Sequence, residues 1–170
     1  GESPQLYEWL ARTPKNSLIA SLSNETDNLP VFAKRSILVG REIALPFHKG
    51  YYSQIRQRAI DLIRAQYSAD LGELQRFIET YGVTFLLVDR DAFTPDYVTA
   101  DRWLRQFQPA VKEAAARLEQ GVPPALFRLL DSCTVFESNG LVVISADRVL
   151  RASMPNAQQA AASPAPRVDH

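Results

Sequence analysis

The spacing of apolar residues changes repeatedly along this chain, and each change marks a predicted element. Over residues 4–13, Leu6, Trp9 and Leu10 share one face at helical spacing, and Pro14 stops the run. Residues 17–22 read as a buried strand and residues 23–30 as a polar loop, while residues 31–35 fit neither period. Residues 36–39 read as a second strand, ended by Gly40, and a connection carrying Pro46 and Gly50 follows. Residues 51–67 hold the clearest helical pattern. At about 100° per residue, Tyr52, Ile55, Ala59, Leu62, Ile63 and Tyr67 fall in one arc, with Gln54, Gln57, Arg58, Asp61 and Arg64 outside it. Arg56 is the exception, a cation on the apolar side.

Asp70 is placed to cap a second helix reaching Tyr81, with Leu71, Leu74, Phe77 and Ile78 inward and Gly82 as its terminator. Residues 83–88 (Val-Thr-Phe-Leu-Leu-Val) form the strongest strand pattern, rich in β-branched and aromatic side chains. Residues 99–107 and 109–120 predict two helices or one kinked helix, with Trp103, Phe107, Val111, Ala114 and Leu118 on the inner face. A short helix over 125–130 precedes two strands, 133–137 and 141–145. Asn139-Gly140 between them is a hairpin signal, because both residues tolerate positive φ. Strands separated by helices predict an α/β fold: a small, partly parallel sheet flanked by helices and finished by a C-terminal antiparallel hairpin. The reading is one domain over 1–152, with a disordered Ala/Gln/Ser/Pro tail over 153–170.

Composition narrows the function classes. Lys plus Arg and Asp plus Glu both count 19, so net charge gives no reason to expect nucleic acid as a partner. Cys133 is the single cysteine, which rules out an intrachain disulfide and a cysteine metal cluster; its apolar neighbours predict a buried side chain. The longest uncharged stretch, 152–166, is Ala, Gln, Ser and Pro, not a membrane span. The chain opens on Gly1-Glu2-Ser3-Pro4 instead of Met, the expected look of a piece of a longer protein.

Candidate chemistry is sparse. The two histidines, His48 and His170, accompany no nucleophile elbow, and no glycine-rich phosphate loop occurs. No cofactor is expected. Asp89-Arg90-Asp91 follows a buried strand, and an Asp-x-Asp pair there is a pattern that holds a divalent cation in many nucleotide-sugar transferases; the alternative is a polar turn. Asn24-Glu25-Thr26 matches the N-glycosylation acceptor pattern. The 35–56 segment gathers Arg35, Arg41, Glu42, His48, Lys49, Tyr51, Tyr52 and Arg56. A core-facing Arg56 needs a partner, for which Glu42, Glu25 and Asp27 are candidates. Two readings stay open: an internal ion pair, or an anionic-ligand pocket in which Arg35, Glu42, Tyr52 and Arg56 converge.

Residues 14–20 (Pro-Lys-Asn-Ser-Leu-Ile-Ala), residues 35–39 (Arg-Ser-Ile-Leu-Val), Tyr51-Tyr52 with Arg56 and Arg58, residues 65–67 (Ala-Gln-Tyr) and residues 81–89 occur in an order that resembles a known arrangement. It is similar to the soluble tail that follows the membrane helices in bacterial polytopic proteins resembling C-type, lipid-sugar-dependent glycosyltransferases related to protein mannosyltransferases. The resemblance covers about residues 5–150. It implies a non-catalytic accessory domain, attached to the membrane-embedded part of the same parent chain on its extracytoplasmic, periplasmic face. It also implies a glycan, a lipid-linked sugar or a protein as further partner. The catalytic acid of such enzymes lies near their first membrane helices, so no catalytic residue is carried over. Two other readings are a stand-alone sugar- or nucleotide-binding enzyme using Asp89 and Asp91, and an interaction scaffold whose apolar face surrounds Trp103 and Phe107.

Overall fold

Pro4 opens helix α1 (Pro4–Ala11), a position where its missing N–H would have no helical partner anyway. Leu6, Tyr7 and Leu10 are its buried residues. The computed structural model describes residues 3–41 and 49–153; Glu42, His48 and the tail from residue 154 lie outside them. Strand β1 (Leu18–Ser21) follows, then a 3-10 helix (Asn24–Asn28) and one wide π-helical turn (Leu29–Ala33) where a polar loop and an ambiguous stretch were expected. Strand β2 (Ser36–Ile37) is shorter than expected, although Leu38 N–H still reaches the carbonyl of Ile19 at 2.9 Å.

Helix α2 (Lys49–Tyr67) and helix α3 (Leu71–Tyr81) follow the periodicity. The Asp70 carboxylate accepts from Gly72 N–H at 2.9 Å, and Gly82 closes α3 at φ +67°, as their residue types required. Strand β3 (Phe85–Asp89) leads into α4 (Pro95–Ala100), a 3-10 turn (Leu104–Gln106) and α5 (Ala110–Glu119). The helix expected over 99–107 is therefore absent: Asp101 leaves helical geometry (ψ 117°) and its carboxylate accepts from Leu104 N–H at 3.0 Å. Two short helices, α6 (Ala125–Arg128) and α7 (Leu130–Cys133), precede β4 (Thr134–Ser138) and β5 (Leu141–Ser145), and α8 (Ala146–Arg151) was not anticipated. Asn139 (φ 52°) and Gly140 (φ 75°) make the hairpin turn.

Among the described residues, five strands form one sheet in the order β2-β1-β3-β5-β4. β1 pairs in parallel with both β2 and β3; β5 joins antiparallel to β3 and to β4. This is the partly parallel α/β sheet with a terminal hairpin that the pattern called for. Period-2 alternation splits the core between the two faces. Ile19, Leu87, Leu141 and Val143 face α1 and the wide turn, with Leu6, Leu10, Leu29 and Ala33. Ala20, Leu86, Val88, Val142 and Ile144 face the larger layer built around α2, α3 and α5, where Leu62, Ile63, Leu74, Ile78 and Val111 pack. Cys133, 2% exposed, belongs to this second layer.

Candidate functional site

The connection from β1 to β2 leaves on one side of β1, and β3 returns on the other. Neighbouring parallel strands whose connections diverge leave a crevice at their carboxyl ends, the usual ligand position in open α/β sheets. Here those ends are Ser21-Leu22-Ser23 and Asp89.

The exit from β1 is a chain of short polar side chains. The Ser21 hydroxyl accepts from Ser23 N–H at 3.0 Å, and Ser23 Oγ accepts from Glu25 N–H at 3.2 Å. Thr26 is fully buried and donates to the carbonyl of Ser23 at 2.7 Å, so the hydroxyl of the Asn24-Glu25-Thr26 motif is turned inward. Ser23 Oγ also donates to Asp89 Oδ1 at 3.2 Å, and Tyr97 OH donates to Asp89 Oδ2 at 2.5 Å. Burial pushes the Tyr97 hydroxyl far above its ordinary pKa, and the Asp89 charge and hydrogen bond push it further. It therefore stays protonated as the donor. Tyr67 donates to the carbonyl of Ala92 at 2.7 Å, and its pKa too is raised, chiefly by burial.

Arg41 forms the wall. Its guanidinium pairs with Asp101 Oδ2 at 2.8 Å, donates to the carbonyl of Leu22 and lies over the Trp103 ring at 4.8 Å. Its backbone N–H donates to Asp27 Oδ1 at 2.8 Å. Arg41 Nε is buried and finds no partner among the described residues. An open cleft of about 550 Å³ is lined by Asn24, Arg41, Asp101, Arg102, Trp103 and Gln106. Amides, a carboxylate, guanidinium groups and an indole together offer donors, acceptors and a flat face to a polar ligand. Among the described residues no group of three or more His, Cys, Asp or Glu is positioned to hold a metal ion.

The sequence-predicted site residues are dispersed relative to this cleft. Arg35 is 6% exposed and holds Thr13 Oγ1 (3.2 Å) and the carbonyls of Lys34, Ala11 and Thr13. Arg56 on α2 lies 5.9 Å over the Phe107 ring and reaches the carbonyl of Gln108 at 3.5 Å; its Nη1 is buried and finds no partner among the described residues. Arg35 and Arg56 share no polar contact. Tyr52 is 41% exposed on the first turn of α2, and Glu42 lies outside the described residues. Asp91 is exposed on the turn after β3, and Asp89 is occupied by its two hydroxyl donors. Phe107 is in the core, 3% exposed, and Trp103 is half-buried with Arg41 over its ring.

The sequence reading missed Ser23, Tyr97 and Asp101. Strand order finds Ser23, because once β1 and β3 are neighbours in parallel the residues just past both strands meet; Tyr97 and Asp101, in and after α4, carry no such signal.

No protein-family model matches the chain, and no curated protein matches it either. Among solved structures, the C-terminal globular domain of an oligosaccharyltransferase from Archaeoglobus fulgidus aligns over 84% of this chain and 94% of its own, with a TM-score of 0.55 and 7% sequence identity. The chain has the fold of that domain, and at this identity the likeness is one of fold.

Proposed function

We propose that this chain is an accessory domain of a membrane-embedded glycosyltransferase, held on the extracytoplasmic face and attached to the membrane part of the same parent protein. The observation that carries the reading is the extent of the fold correspondence. It runs through 94% of a domain from the C-terminal end of an oligosaccharyltransferase and 84% of this chain, so the likeness extends over most of both chains. The sequence resemblance to C-type glycosyltransferases points the same way by an independent route. Among the described residues no helix is long and apolar enough to cross a membrane, so anchoring belongs to the rest of the parent. The domain's work in this reading is to shape or cover the membrane-embedded active site and to present the switch-point cleft to a polar partner, a glycan or a lipid-linked sugar. The reading of Asp89 and Asp91 as a catalytic metal pair draws less support, because both Asp89 oxygens are satisfied internally.

The test is genetic and biochemical. The reading frame upstream of Glu2 is expected to encode a series of hydrophobic spans. Membranes carrying the full parent are expected to transfer sugar, and membranes carrying the parent without this domain are expected to lose transfer while its spans still insert. A frame without hydrophobic spans, or unchanged transfer after deletion, overturns the reading.

A further inference from the structure

The face of the molecule opposite the large helical layer carries a feature that the fold does not use. Leu29 and Ala33 are fully buried and anchor the wide turn Leu29–Ala33, whereas Val31 is 69% and Phe32 51% exposed. Among the described large apolar residues these two are the most exposed. They are adjacent in sequence and sit at the tip of a turn. The tip is also held firmly. Lys34 closes the turn at φ 53°, the Phe32 ring stacks on Tyr7 at 5.3 Å, and the buried Arg35 guanidinium ties the segment to the C-terminal end of α1 through Ala11 and Thr13. Val31 and about half of the Phe32 surface lie outside the domain's own core, and exposed apolar patches mark interaction surfaces. A π-helical turn is itself frequent at functional sites.

The surroundings identify the partner. A cleft of about 570 Å³ beside the tip is lined by Ala11, Lys15, Phe32, Ala33, Lys34 and Arg35. Lys15 and Lys34 are exposed, and neither forms an ion pair among the described residues. Arg12, also exposed, is matched by Glu8 at 3.5 Å. Two unpaired ammonium groups flanking an apolar wedge complement one chemistry best: an anionic headgroup layer over hydrocarbon.

We infer that Val31 and Phe32 enter the interfacial region of an anionic phospholipid bilayer while Lys15 and Lys34 engage the lipid phosphates, so that this face lies against the membrane. The inference deepens the accessory-domain reading and takes its biological setting from it. The affinity of so small a contact is low by itself, and tethering to a membrane-embedded parent would raise its effective concentration.

The test uses the 170-residue chain in flotation at millimolar accessible lipid, where a low-affinity contact still registers, with phosphatidylcholine vesicles with or without admixed phosphatidylglycerol. Binding is expected only to the anionic vesicles and is expected to weaken as salt is added. Phe32→Ser is expected to lower the partition coefficient about fivefold, through loss of an inserted ring. Lys15→Gln with Lys34→Gln is expected to lower it about 30-fold, at roughly fivefold for each lysine. Phe127→Ser, which alters another exposed ring (48%) on a different pocket, is expected to leave it unchanged. Circular dichroism confirms that each variant is folded. No binding to anionic vesicles, binding indifferent to both the Phe32 and lysine changes, or loss of binding on Phe127→Ser each overturns the inference. None of these outcomes bears on whether deleting the domain from the parent abolishes transfer.

Discussion

The bond between Tyr97 and Asp89 ties helix α4 to the carboxyl end of β3, and its contribution follows from its geometry. Tyr97→Phe removes one hydroxyl and leaves the ring in place. The lost bond is short, 2.5 Å, and its acceptor is a carboxylate; hydrogen bonds to charged groups contribute about 1.5–3 kcal/mol. Asp89 is only half-buried and keeps Ser23 on its other oxygen, so water partly replaces the lost donor. The expected cost is about 1.5–2 kcal/mol, or about 3–8 °C in Tm for a chain of this size. A double-mutant cycle with Asp89→Ala, followed by urea melts, is expected to give a coupling energy of about 1.5 kcal/mol. A coupling below about 0.5 kcal/mol, within the range of simple additivity, would show that the two groups are not bonded. The pH dependence supplies a second check. Below about pH 10 tyrosine keeps its proton whether the chain is folded or not, and the contribution is fully present. Above that pH the unfolded tyrosine ionises while the folded one, its pKa raised by burial and by Asp89, does not, so stability falls. Tyr97→Phe is expected to make that fall shallower by about 1.4 kcal/mol per pH unit.

Three other perturbations probe separate parts of the structure. Gly82→Ala places a Cβ at φ +67° with no atom within 4 Å to meet it, so the cost is backbone strain alone, about 1 kcal/mol in a urea melt; no change would argue against the left-handed cap. Leu86→Ala, at a fully buried position on the central strand, is expected to cost about 2–5 kcal/mol, while Val31→Ala at the exposed tip stays within about 0.5 kcal/mol; similar losses at both positions would contradict the burial. Arg35→Ala frees the carbonyls of Ala11 and Thr13 and should speed amide hydrogen exchange across Leu29–Ala33; unchanged protection there would mean that Arg35 does not hold the turn.

What the chain made legible was local. Helix α3 announces itself because Asp70, its apolar face and Gly82 all lie within 13 residues and need nothing from elsewhere. The hairpin is equally self-contained in Asn139 and Gly140. Distant contacts defeat such reading. The wide turn over Leu29–Ala33 is held by an arginine reaching back to Ala11 and Thr13, 24 and 22 residues away. The helix expected over 99–107 fails because Asp101 is used twice, by Leu104 N–H and by Arg41. Helix α8 escaped notice because Ser145 serves both as the last residue of β5 and as the cap accepting from Arg148 N–H at 3.2 Å. The candidate site shows the same division. Asp89 is visible as a carboxylate at a strand end, but Ser23, 66 residues earlier, becomes its partner only through the pairing of β1 with β3.

The order β2-β1-β3-β5-β4 also sets a timetable for synthesis. As the chain emerges N-terminus first, β1, β2 and β3 can assemble, but the far edge of β3 then has no neighbour until residues 141–145 arrive. That edge is Phe-Leu-Leu-Val-Asp, an apolar strand of the type that pairs readily with foreign strands when left open. Because β5 slots in beside β3 instead of extending the sheet from outside, the nascent sheet is sealed by the last of its described strands. A ribosome stalled or a message cut anywhere between residues 90 and 140 would release a fragment with a sticky, unfinished sheet, so premature termination in this interval is more hazardous to the cell than an earlier stop before β3.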